Sequence, residues 1–295
     1  MGEHHKDAHH HEHDEHDEDD EHDAEGSVNT SSNGSMNTTN NSNDRRTGKG
    51  NSGNGISRPP VNPQSSQPQT PSGTASMDVV IAIDGTSASG KSTNAKRVAR
   101  ELGYIYVDTG AMYRSLAWHA LQQGVDPHDA KAVAALCRKW KTSLRCADHQ
   151  VILRVHSYYP EKEIRTAAVS AAVPHVAAVP AVRRWMKNKQ RECAKFGNLV
   201  MEGRDIGTHV FPETAFKFYL DASLKERSQR RAAEGVQENL AARDQRDSER
   251  AVAPLMIALG ATVINNSRMT AEETSARILS EVKRKLAEAA GRPPR

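Results

Sequence analysis

The feature that most constrains this chain is the passage from residue 79 to residue 92, VVIAIDGTSASGKS. VVIAI is an unbroken apolar, largely β-branched run with no polar face, the pattern of a strand covered on both sides in a parallel sheet. It leads through Asp84 into Gly85-Thr86-Ser87-Ala88-Ser89-Gly90-Lys91-Ser92, which satisfies G-x-x-x-x-G-K-[ST]. KSTNAKRVARELG follows as an amphipathic helix that Gly103 closes as a C-terminal cap. Strand, glycine turn and helix in that order predict an α/β fold with crossover helices on a parallel sheet.

The turn carries chemistry. Glycines let successive backbone N–H groups turn inward and approach phosphate oxygens, and the helix that starts there aims its N-terminal dipole at the anion. Lys91 brings a point charge to the β- and γ-phosphates, the Ser92 hydroxyl can ligate Mg²⁺, and Thr93 opens the helix beside it. ATP or GTP binding follows, and the turn alone does not choose among phosphate-binding families.

The rest of the chain is two polymers. Residues 1–26 hold 12 Asp/Glu, one Lys and eight of the 14 His, a net charge of −11. Residues 27–77 are rich in Ser, Asn, Thr, Gly, Pro and Gln. Neither segment can bury enough apolar surface to offset the entropy of ordering it, so 1–77 is expected to be a disordered tail. The His/Asp/Glu run is composed of metal-binding side chains, but with no second shell to fix them its affinity is expected to be adventitious. The remaining 218 residues carry 35 Lys/Arg against 24 Asp/Glu, a net +11 that fits anionic partners. Only 13 aromatics occur in the chain, which argues against a base-stacking surface for nucleic acid. Cys137, Cys146 and Cys193 show no CxxC spacing, so no disulfide framework and a reducing compartment are expected. The N-terminus has no apolar signal, and the Ala/Val run at 167–182 is too short and too Pro-interrupted to span a bilayer. A cytoplasmic protein without membrane partners is expected.

Along the folded part, YIYVD (104–108), VILRV (151–155), LVME (199–202), FKFYL (216–220) and ATVIN (261–265) read as strands. Helices are expected from Thr109 to Gly124, over 129–141, over 166–195 with a break near Pro174 and a restart near Pro180, over 224–252, and over 271–289. Three arginine-bearing segments follow strands on the P-loop's edge of the sheet or the basic helix. DTGAMYR brings Asp108, Thr109, Tyr113 and Arg114; MEGRDIG brings Glu202, Arg204 and Asp205. In ARDQRDSER, helical spacing puts Arg243, Arg246, Asp247 and Arg250 on one face, with Asp247 able to hold Arg243 and Arg250. Guanidinium groups grip phosphate bidentately, so this grouping beside a P-loop predicts a second phosphate-bearing substrate.

These motifs, with EIRTAAVS, VAAVPAVR, GRDIGTHVFPETAFKFYLDAS and RDQRDSERAVAPL, resemble bacterial cytidylate (CMP) kinases over the whole folded part. The resemblance implies a three-layer nucleoside-monophosphate (NMP) kinase domain over 78–291. It would have an inserted NMP-binding region at about 124–198, a helical LID at about 225–250, a 292–295 tail, and a monomeric state. It implies Mg²⁺-dependent phosphorylation of CMP and dCMP by ATP. Asp108, Thr109, Tyr113 and Arg114 would line the monophosphate pocket, with Arg114 and Arg204 clamping the CMP phosphate. Arg183 and Asp205 would read cytosine; Arg243, Asp247 and Arg250 would contact sugar and phosphate; Arg227, Arg230 and Arg231 would lie near the ATP phosphates. Glu202 would hold a Mg²⁺-bound water where the family has Asp. Thr86 and Ala88 stand where the family has Pro and Gly; neither removes a backbone donor, and Ala88 excludes a positive φ if the loop needs one. Pro174 stands where the family often has a cytosine-contacting Ser, and the LID after RRAAEG is short.

Two other classes fit parts of the chain. A nickel-delivery GTPase would explain a His-rich N-terminus before a P-loop but needs [NT]KxD and DxxG motifs, and NKQR at 188–191 lacks the Asp. A nucleic-acid-binding NTPase needs solvated Lys/Arg, whereas many arginines here fall in pocket-forming motifs.

Overall fold

A computed structural model describes residues 79–235 and 239–291; the 1–77 tail with its His/Asp/Glu run, and residues 292–295, lie outside the described residues. The buried run forms β1 (Val80–Gly85), followed by α1 (Lys91–Leu102), β2 (Ile105–Asp108), α2 (Thr109–Gln122) and α3 (Ala130–Lys139). Next come β3 (Thr142–Ala147), β4 (Gln150–Val155), α4 (Ala167–Ala178), α5 (Pro180–Glu192) and β5 (Leu199–Glu202). The chain continues with β6 (Phe216–Asp221), α6 (Leu224–Ala233), α7 (Leu240–Ser248), β7 (Thr262–Asn265) and α8 (Ala271–Ala289).

The strands form one sheet in the order β3-β4-β2-β5-β1-β6-β7, parallel except for the antiparallel β3–β4 pair. β1 lies between β5 and β6, and its alternation fills both cores. Val80 and Ala82 point into one core with Leu116, Val182 and Met186; Ile81 and Ile83 point into the other with Val98, Phe218 and Ile278. All four β1 side chains are buried, each worth roughly 1–3 kcal/mol of apolar transfer. Register aligns the carboxyl ends: Ile83 pairs with Glu202, and Asp108 pairs with Glu202 from the other side. Asp84, Asp108 and Glu202 therefore emerge at one sheet edge.

The structure corrects three expectations. β3 was not read as a strand, because TSLRCA is half-exposed on the sheet's outer edge and its inner face offers only Leu144 as a large apolar residue. Pro174 does not break its helix: α4 runs through it, and the break comes at Val179, with Pro180 opening α5 at its first turn. The carbonyl that loses a donor to Pro174 belongs to Ser170, which is exposed to solvent. The basic stretch 224–252 is two helices, α6 and α7, parted after Gly235 (φ 72°), and α7 ends at Ser248 so that Arg250 lies past it. All three cysteines are free, and no helix among the described residues is long and apolar enough to cross a membrane.

Candidate active site

The phosphate turn is held by its backbone. Gly85 has φ 147°, and a Cβ there would meet the Leu220 carbonyl oxygen at 2.0 Å, so glycine is required where β1 passes β6. Gly90 has φ 85°. Ala88 sits at φ 57°, so the expectation that alanine excludes a positive φ is corrected: the loop takes it at a cost of about 1–2 kcal/mol. Side chains from distant elements brace the turn. Thr86 Oγ1 donates to Asp221 Oδ1 at 3.0 Å, Asn266 Nδ2 to the Ser89 carbonyl at 2.9 Å, and Asn94 Nδ2 to the Gly90 carbonyl at 2.8 Å. Lys91 is only 6% exposed, and its ammonium donates to the Thr86 carbonyl at 2.5 Å. Burial pulls its pKa well down, with Arg204 and Arg243 adding to the effect against Glu202 and Asp244.

The opposite side of the cleft is built from ion pairs. Asp108 caps α2 by accepting from Ala111 N at 2.8 Å and pairs with Arg114 at 3.1 Å. Thr109 Oγ1 donates to the Glu202 carbonyl at 2.6 Å. Arg183, 2% exposed, pairs with Asp205 at 2.7 Å, donates to the Ala177 carbonyl at 3.3 Å and lies 5.5 Å from the Tyr113 ring centroid. Burial opposes the Arg183 charge, and Asp205 more than restores it, leaving the group above its ordinary value. Burial pushes the Tyr113 phenol up. Asp247 accepts from Arg204 Nε at 2.8 Å and also pairs with Arg250. Burial works against its charge, but the two guanidinium groups hold its carboxyl below the usual range.

Asp84 joins the two sides. Its carboxylate accepts from Ile206 N at 2.8 Å and Gly207 N at 2.7 Å, fixing the segment after Arg204 and Asp205 to the end of β1. Burial pushes its pKa up to about 7 despite those two amide donors.

Both sides open into one cavity of about 370 Å³. From the turn it is lined by Ser87, Ala88, Gly90, Lys91, Ser92 and Thr93. From the second side come Asp108, Thr109, Tyr113, Arg114, Arg183, Glu202, Arg204 and Asp205, and from the basic helical region Arg230, Arg231, Arg243, Asp247 and Arg250. Gly85, Thr86 and Ser89 act behind the lining. Arg227, expected near the ATP phosphates, does not line the cavity; its guanidinium is turned onto the Ala222 and Ser87 carbonyls and Asp244. Arg246 is exposed, and the Asp247 carboxylate holds Arg204 as well as Arg250. Sequence reasoning gave no role to Asp221, Asp244 and Asn266, although the first two lie within the FKFYLDAS and RDQRDSER segments. It also missed Ser170, which a turn before Pro174 lines the cavity.

The mouth of the turn suits a hard divalent cation. The Ser92 hydroxyl, the buried Glu202 carboxylate and the partly buried Asp108 carboxylate are oxygen donors, and burial with Asp108 nearby pushes Glu202 up against the pull of Lys91. Glu202 Oε1 already accepts from Tyr106 Oη at 2.6 Å. Among the described residues no three His, Cys, Asp or Glu form a metal-holding group. A cation here would draw most of its ligands from phosphate and water, as Mg²⁺ does.

A glycine turn on a mostly parallel sheet, opening into an arginine-lined recess, is the architecture of a P-loop phosphoryl-transfer enzyme with two anionic substrates. The cytidylate kinase family profile matches residues 81–284. The cytidylate kinase of Geobacillus kaustophilus is 43% identical over 219 residues, covering 70% of this chain and 98% of that one. That of Oceanobacillus iheyensis is 38% identical, covering 69% and 94%. The bifunctional pantoate ligase/cytidylate kinase of Synechococcus elongatus is 41% identical over 216 residues, covering 68% of this chain and 41% of the larger protein. The chain belongs to the cytidylate kinase family and is a nucleotide kinase.

Proposed function

We propose that the protein transfers the γ-phosphoryl group of ATP to the 5′-phosphate of CMP and dCMP, giving ADP and CDP or dCDP. The single cavity that joins the phosphate turn to the arginine recess carries this reading. The bond between the γ-phosphorus and the β–γ bridging oxygen breaks, and a bond from an acceptor phosphate oxygen to the γ-phosphorus forms. That oxygen is already anionic, so the residues need supply no general base and no covalent intermediate. The turn's amides and Lys91 hold the ATP phosphates; Arg230 flanks them. A polyphosphate beside Lys91 would return its ammonium toward full charge. Arg114, Arg204 and Arg250 grip the acceptor phosphate, with Asp108 and Asp247 keeping those guanidinium groups oriented. Arg204, Arg243 and Arg250 meet charge on the transferring group. Arg183 and Asp205, locked to one another, present fixed donor and acceptor edges to cytosine, and Thr109 and Tyr113 complete the acceptor wall. Mg²⁺, when bound at Ser92 and the phosphates with Glu202 acting through water, neutralises phosphate charge.

The test is ADP release measured with ATP and a panel of CMP, dCMP, UMP and AMP. Release that depends on CMP and dCMP supports the assignment. Release independent of every monophosphate, or GTP hydrolysis stimulated by nickel, would overturn it.

A further inference from the structure

Helix α7 carries two carboxylates three residues apart, and they face different halves of the site. Asp247 takes Arg204 on the acceptor side. Asp244 reaches the donor side, where it closes a ring of contacts on a single residue of the phosphate turn. Asp244 Oδ1 accepts the Ser87 backbone N–H at 2.9 Å, and Asp244 Oδ2 pairs with Arg227 Nη1. The same Arg227 nitrogen donates to the Ser87 carbonyl at 3.2 Å, and Arg227 Nε anchors the ring to the Ala222 carbonyl at the end of β6, at 2.9 Å. Both polar groups of the Ser87 peptide are thus taken by one buried ion pair, whose side chains are 9% and 14% exposed. A buried amide and a buried guanidinium that lose a carboxylate partner are costly to leave alone, so the ring favours one position of α7 over others.

We propose that Asp244, with Arg227, is a positioning residue. It pins α7 to the backbone of the phosphate turn and thereby fixes Arg243, the residue before it, over the cavity. Asp244 and Asp247 together make α7 the spacer between the two substrates' phosphates. Neither Asp244 nor Arg227 lines the cavity, so both act through the residues they hold. The inference rests on the kinase reading above for its catalytic consequence, but not for its structural one.

The test uses the full chain and the variants Asp244→Asn, Asp244→Ala, Arg227→Ala and the double Asp244→Ala/Arg227→Ala. Amide hydrogen exchange across residues 85–90 without nucleotide should speed by about tenfold or more in each alanine variant, and the double variant should be no faster than the single ones. In kinetics, kcat should fall and KM for ATP should rise, each by about tenfold, with KM for CMP changed by less than about threefold. ADP release without CMP should rise relative to transfer, because a loosened helix excludes water less well. Asp244→Asn keeps one acceptor for the Ser87 amide and loses the ion pair, so it should fall between wild type and alanine. Unchanged exchange at 85–90, additive effects in the double variant, or a larger KM shift for CMP than for ATP would overturn the proposal. So would a lowered melting temperature with unchanged kinetics per folded molecule, the mark of a merely structural pair. If the wild-type chain phosphorylates no monophosphate, the kinase reading falls while the exchange result still decides whether the ring pins the turn.

Discussion

The two halves of the cleft hold anions by different means. The donor half is a backbone device. Its geometry comes from Gly85 and Gly90, from an alanine at φ 57°, and from carbonyls braced by Asn94, Asn266 and Lys91. The acceptor half is a side-chain device, in which Arg114–Asp108, Arg183–Asp205 and Arg204–Asp247–Arg250 hold each other at fixed angles. A backbone cradle tolerates side-chain changes that leave its dihedral angles alone. A lattice of buried ion pairs does not tolerate the loss of one charge, because the partner left behind stays buried.

The largest expected effect is at Lys91, the side-chain charge carried by the phosphate turn itself. Lys91→Ala should lower kcat by about a thousandfold while the melting temperature holds or rises, since a buried ammonium is removed. Near-normal turnover would break the donor assignment. On the acceptor side, Asp247→Asn keeps the shape and deletes the charge. It should lower kcat/KM for CMP by about 10- to 100-fold with KM for ATP nearly constant, measured by steady-state kinetics. Equal losses for both substrates would blur the division between the halves.

Asp84 belongs to both halves, and its carboxyl gives a pH signature. Its pKa is raised from an ordinary 3.8 to about 7, so the folded state binds more protons than the unfolded state between those values. The stability it contributes is fully present below about pH 4 and is lost as pH rises through about 7. In thermal midpoints measured from pH 4 to 8, wild type should therefore lose ground against Asp84→Asn as pH rises toward about 7; parallel curves would contradict the raised value. The smallest effect is at Ala88. Ala88→Gly relieves the left-handed strain but loosens the unfolded chain, so stability should change by less than about 1 kcal/mol and kcat/KM by less than twofold. A large loss would mean that the alanine methyl, and not only the backbone, shapes the turn.

Legibility in the sequence divides along the same line. β1, the turn and α1 were readable because local signals agree: an unbroken apolar run, glycines at positions needing them, and Gly103 at the cap. The acceptor arginines were readable as candidates, but their partners were not. Helical spacing marked Asp247 as a partner for arginines of its own helix, but only the fold brings Arg204, 43 residues away, to that carboxylate. Asp221, Asp244 and Asn266 brace the turn from 135 to 177 residues off, and no local pattern tells that they reach it. Pro174 misled because an internal proline costs a helix one hydrogen bond and strain without always ending it, and here it costs the bond at the exposed Ser170 while α4 runs on.

The central claim is that both halves address one reaction path. Its most direct test is the affinity of a bisubstrate compound in which adenosine and cytidine are joined by a chain of phosphates long enough to span both halves. Titrated calorimetrically into the full chain, it should bind at least about a hundredfold more tightly than CMP alone, and Lys91→Ala and Asp247→Asn should each weaken it. Binding no tighter than the better of the two separate nucleotides would contradict a single two-substrate site.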